Sequence, residues 1–196
     1  DWDNNPETFI DDLIGWDMLG VSGVSGDNDP MPLQNVSGQS DWNHGTHVSG
    51  ILAAVTDNFT GIASTSYNGR IMMVKIARDN SGPNDVILSE EYAGILYAAK
   101  TGFHAGLTTI INISWGTSST SEFEEELIHL VWENYNAIVV SSAGNGLNGL
   151  EFFGPTFPAA YDQVISVAPL GTDDVWNHWA NYHSTVSLCA PGESIL

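Results

Sequence analysis

From residue 41 onward, apolar and polar positions follow two alternating rhythms. Short unbroken apolar runs recur at 70–77 (RIMMVKIA), 108–114 (TTIINIS), 137–142 (AIVVSS) and 163–168 (QVISVA), lengths that suit strands buried on both faces. Between them lie stretches with helical spacing. Residues 44–56 place Val48, Ile51, Leu52 and Val55 on one face. A second helix is predicted over 86–101, which Asp85 can cap and Gly102 can close, after a loop at Asn80-Ser81-Gly82-Pro83. Ser121 opens a third, with glutamates in its first turns, as suits the positive end of a helix dipole. Strand, helix, strand, helix, strand at these lengths predicts an α/β fold of three layers, a mostly parallel sheet with helices on both faces. The first forty residues break the rhythm. Rich in Asp, Asn, Gly and Pro, they read as loops around one short strand near 13–19.

In such a sheet, chemistry gathers in the crevice beyond the carboxyl ends of the strands. Ser114-Trp115-Gly116 and Ala143-Gly144-Asn145-Gly146 both fall there, each a turn of small residues just past a strand. Composition narrows what the crevice meets. The 196 residues, 42% of them hydrophobic, suffice for one domain with a packed core. Four basic residues against 24 acidic ones argue against nucleic acid or an anionic membrane surface as partner. No apolar run approaches the roughly 18 residues of a membrane helix. Cys189 is the one cysteine, so no internal disulfide can form, and a buried thiol is expected. The N-terminal DWDNNPETFI lacks the basic start and apolar middle of a signal peptide.

The stretch DWNHGTHVSGILAA at 41–54 holds two histidines three residues apart. Zinc-protease helices space theirs four apart with a glutamate between, as H-E-x-x-H. Here Gly45 and Thr46 intervene with no acid between the histidines and no obvious third ligand, which disfavours a metal pair. Two polar residues in a helix's first turn are the plain alternative. A histidine at the helix start, followed by a glycine that admits another chain, is also well placed for general-base work.

His44 to Ala54 (HGTHVSGILAA) resembles the histidine signature of the subtilases, the subtilisin-like serine proteases. The family's landmarks recur downstream in order: VKI at 74–76, NISWG at 112–116, SSAGN at 141–145, FPAAY at 157–161 and APG at 190–192. Upstream, IDDLIGWD at 10–17 and DNDP at 27–30 resemble the loop region before the histidine in many bacterial members. The resemblance implies a serine-type endopeptidase acting on polypeptides through an Asp-His-Ser triad. It makes His44 the catalytic base and His47 helix scaffolding. Asn145 matches the oxyanion donor, and Ser114, Trp115 and Gly116 match the segment that pairs with the substrate backbone. Ser81 and Gly82 resemble the opposite edge of that cleft. It further implies an extracellular or cell-surface monomer without an organic cofactor. Structural calcium is also implied, near Val55 and Asp57, with no ligands assigned.

The pattern breaks in two places. The family's serine follows the APG turn in a G-T-S motif, and the chain stops at Leu196 before one. Gly116-Thr117-Ser118 precedes Asn145 and reads as the approach to a helix, so Ser118 is not the nucleophile. The aspartate should end an apolar strand and be followed by a small hydroxyl residue and Gly. Asp11 and Asp12 have the nearest apolar context, and Asp12 lies 32 residues before His44, but Leu13-Ile14 replaces the small pair. Residues 1–196 are therefore expected to be a partial subtilisin-like peptidase domain, truncated at both ends, that lacks the Asp-bearing strand and the Ser-bearing segment. Alone it is expected to fold poorly and to be inactive. The alternative is a pseudoprotease or peptide-binding module on the same fold. Of the sequons at Asn35, Asn58 and Asn112, the last is expected in a buried strand.

Overall fold

The computed structural model describes residue 9, residues 12–20, 23, 25–32, 40–79, 88–147, 150, 152–176 and 179–195, with the side chains of residues 40–42 excepted. The chain divides into two compact units, residues 1–94 and 95–196.

In the first unit, β1 (Gly15–Asp17) pairs in parallel with β2 (Met73–Lys75), Trp16 opposite Val74. Gly15 is needed in β1: its φ is +131°, and a Cβ there would overlap the backbone of Met73. Helix α1 (Ser40–Ala53) starts four residues earlier than the apolar spacing predicts. Its expected apolar face is not sealed: Val48 and Ile51 are half-buried, Leu52 is exposed, and Val55 lies beyond the helix and exposed. Strand β2 covers three residues of the predicted run 70–77 and is half-buried along its length.

The cap expected from Asp85 falls outside the described residues. Helix α2 (Glu91–His104) begins in the first unit and continues into the second, running past the predicted stop at Gly102. Gly106, at φ +71°, ends it instead, with Leu107 N donating to Gly102 O and Gly106 N to Phe103 O at 2.9 Å each. Gly102 serves close approach, because a Cβ there would overlap the side chain of Thr109.

The second unit is built on a four-stranded parallel sheet, in order β3 (Thr109–Ile113), β4 (Ala137–Ser142), β5 (Val164–Leu170) and β6 (Leu188–Pro191). Helix α3 (Glu122–Tyr135) packs on β4 and buries Leu127, Ile128 and Val131. Ser121 caps it as expected, its Oγ accepting from Glu124 N at 3.3 Å, and Asn136 in the left-handed region closes it. Ile111, Ile113, Val139, Val164 and Ala168 supply the sheet's share of the core.

Three expectations are corrected here. Strand β3 is not buried on both faces: Ile110 is 70% exposed and Asn112 exposed on one face, and among the described residues β3 lies at one edge of its sheet. The sequon at Asn112 is therefore on the surface, as is the one at Asn58, while Asn35 lies outside the described residues. A further strand, not expected from the sequence, spans Leu188–Pro191. Cys189 on it is exposed, where a buried thiol was expected.

Candidate functional site

In the first unit, the helix start at Ser40 places His44 fifth in α1, in its second turn and not at its lip. His44 and His47 are both exposed. A Cβ on Gly45 would meet nothing within 4 Å, so the helix surface beside His44 is open. Ser49 Oγ donates to Gly45 O at 2.7 Å and to Met73 Sδ at 3.3 Å, which ties the helix to β2. Asp12 is buried and stands before β1; Asp11 lies outside the described residues. Asp17, which does end a strand, is engaged otherwise. Its carboxylate accepts from Leu19 N at 3.0 Å and from Lys75 Nζ at 2.6 Å, and Lys75 also meets Asp79. Burial alone would lower the Lys75 pKa, but these two carboxylates outweigh it and raise the value.

The loop after α1 supplies one carboxylate, Asp57, and two side-chain amides, Asn58 and Asn68; Asn58 Oδ1 accepts from Thr60 N at 3.0 Å. Calcium takes about six to eight oxygens. The loop by itself does not complete such a site. Among the described residues no group of three or more His, Cys, Asp or Glu side chains is placed to hold a metal. Ser81 and Gly82, the expected cleft edge, fall outside the described residues.

The second unit brings the remaining residues together at the carboxyl ends of β3 and β4. Ile113 pairs with Ser141, so Ser114 leaves β3 alongside Ser142, just before the turn Ala143–Gly146. Asn112 Nδ2 donates to Ser114 Oγ at 2.9 Å. Trp115 is half-buried and Gly116 exposed, with no room for a side chain at Gly116 because a Cβ would sit 3.0 Å from Phe157 O. Next, Thr117 and Phe157 exchange backbone hydrogen bonds of 2.9 and 2.8 Å.

The turn itself is held from several sides. Ala143 N donates to Val167 O at 2.8 Å, and Thr156 Oγ1 to Ala143 O at 2.7 Å. Gly144 and Gly146 have φ of +105° and +72°, shapes that favour glycine. Asn181 N donates to Gly144 O at 3.2 Å, and Asn181 Oδ1 accepts from Gly146 N at 2.7 Å. Between them Asn145 is exposed at the surface. At the back, Tyr161 packs on Phe157, centroids 4.9 Å apart, and its hydroxyl bonds Ser121. Burial raises the Tyr161 pKa; the backbone of Ser121 opposes this, and the neighbouring Glu124 carboxylate adds to it.

A side-chain amide on a hydrogen-bonded turn beside a strand end can donate to a developing oxyanion while an extended chain lies along the strand. Sequence reading singles out Asn145 and 114–116. It does not single out Thr156, Tyr161 and Asn181, whose hydrogen bonds and packing support the neighbouring backbone. Phe157 and Tyr161 are inside the FPAAY landmark, a usable signal; Asn181 has none.

The sequence profile of the subtilase family matches residues 21–195. A thermophilic serine proteinase of Bacillus sp. (strain AK1) is 36% identical over 94% of this chain and 41% of its own length. Thermitase of Thermoactinomyces vulgaris is 34% identical over 98% of this chain and 60% of its own. A solved protease from Pseudoalteromonas arctica superposes with a TM-score of 0.69 at 27% identity, covering 91% of this chain and 56% of that one. The chain thus spans about half the length of relatives it matches nearly end to end. Other relatives include one named an extracellular protease and one named an intracellular protease. With the profile covering most of its residues and the parallel α/β sheets matching a solved protease, the chain belongs to the subtilase family.

Proposed function

We propose that the protein containing this chain is a serine-type endopeptidase that hydrolyses peptide bonds in polypeptides. The observation that carries this reading is the Ala143–Gly146 turn. It holds an exposed asparagine next to the segment Ser114–Gly116 at the end of β3, and each matches its family motif.

His44 takes the proton from the serine hydroxyl as that oxygen attacks the substrate carbonyl, and later gives it to the leaving amine. The serine is assigned to no residue of this chain. The Asn145 amide donates to the oxygen that becomes negative in the tetrahedral intermediate. Ser114, Trp115 and Gly116 bond the substrate backbone as an added strand, with Ser81 and Gly82 on the other edge. The protein acts as a monomer at or outside the cell surface, a reading supported by relatives with extracellular names. Residues 1–196 form part of its peptidase domain. Calcium binding is common among subtilases, but no catalytic step is routed through a metal.

The test is peptide hydrolysis by the intact protein and its Asn145→Ala variant. Turnover should fall on the order of 10²–10³, a magnitude carried over from subtilisin itself, with the Michaelis constant little changed. A peptide-binding module without catalysis would show binding and no hydrolysis in either form.

A further inference from the structure

We propose that Asn181 is a positioning residue for the Asn145 side chain, an inference that rests on the oxyanion role proposed for Asn145. Asn181 is 2% exposed, unusual for an amide, and its polar atoms are used on either side of Asn145. Its backbone N–H donates to Gly144 O at 3.2 Å, and its side-chain Oδ1 accepts from Gly146 N at 2.7 Å. The Asn181 amide also fills the space a side chain at residue 144 would need, since a Cβ on Gly144 would lie 2.6 Å from Nδ2. One residue therefore grips the neighbours of Asn145 before and behind.

That grip matters because of what the turn lacks. Gly144 and Gly146 leave the backbone wide conformational freedom, and Asn145 between them is exposed. The direction of its amide follows the backbone at 144–146, and Asn181 is the side chain that holds that backbone at Gly146 while its own backbone holds Gly144. Asn181 is itself seated, as Phe152 N donates to Ala180 O at 3.4 Å and Tyr182 N to Phe152 O at 2.9 Å.

An oxyanion donor contributes only where charge develops, and only if it already points there. The strand end at 114–116 is anchored separately, through Thr117 and Phe157. Losing Asn181 should therefore reduce kcat and leave KM nearly alone.

The experiment is a double-mutant cycle in the intact protein. Asn181→Leu keeps the branched shape, though it is bulkier, and removes the acceptor for Gly146; it should lower kcat by about ten-fold with KM within about two-fold. Placed in the Asn145→Ala background, Asn181→Leu should cost nothing further, because its effect runs through Asn145. Asn181→Asp restores an acceptor at the same position and should recover most of the lost kcat. If Asn181→Leu does not fold, Asn181→Ser, too short to reach Gly146, carries the same expectations. An unchanged kcat in a folded variant, or losses that simply add to those of Asn145→Ala, would overturn the proposal. Unaltered turnover in Asn145→Ala would instead overturn the oxyanion role, a result separable from additivity.

Discussion

The Tyr161 hydroxyl meets both backbone polar groups of Ser121, accepting from its N–H at 3.0 Å and donating to its carbonyl at 3.1 Å. Ser121 is also the cap of α3, so one phenol fixes the helix start, and its ring rests on Phe157 under the proposed substrate strand. Tyr161→Phe keeps the ring and removes both bonds to the half-buried Ser121. Its unfolding free energy should be lower by about 0.5–1.5 kcal/mol, the net worth of a typical hydrogen bond. Denaturant melting checks this: the midpoint falls with the slope unchanged. An unshifted midpoint contradicts it.

Lys75 is one of four basic residues in the chain, and its side chain is only 8% exposed between Asp17 and Asp79. Lys75→Met leaves Asp17 buried without its cation and should cost about 3–5 kcal/mol of stability. The sign of the pH dependence follows from the raised pKa. Stability from the pair is fully present below the ordinary lysine value of 10.5 and is lost as pH rises through the folded value. Thermal melting against pH should show a smaller alkaline loss in Lys75→Met than in the parent protein, the remainder coming from groups such as Tyr161, whose pKa is also raised.

At Gly102 two effects oppose one another. Helix propensity favours alanine by about 1 kcal/mol inside a helix. The Thr109 side chain occupies the space the new methyl needs, and overpacking costs about 1–3 kcal/mol. The steric effect should win, so Gly102→Ala lowers the melting temperature. Adding Thr109→Ala, which removes the hydroxyl in the way, should restore part of it.

What the sequence shows and what it hides divide along physical lines. AIVVSS at 137–142 and the capping serine at 121 are local signals, and both stand as read. Strand β3 was legible as a strand but not as an edge of the described sheet, because TTIINIS says nothing about whether a partner lies on each side. Strand β6 is four residues long and runs into Pro191-Gly192, so its turn signal hides it. Gly102 looks like a helix stop because glycine serves both turns and close contacts, and only Thr109 tells which. In the site, Asn145 was visible through its motif. Asn181 was not: it sits 36 residues later in WANYH, and its role exists only through contacts with the turn.

The central claim is that His44 serves as the base of a serine peptidase. Its most direct test is covalent labelling of the intact protein with a serine-directed phosphonate, followed by mass spectrometry. One serine should be labelled in the parent protein, and His44→Ala should abolish labelling while keeping the parent's melting transition. Equal labelling in His44→Ala, or no serine labelled in the folded parent, would contradict the account.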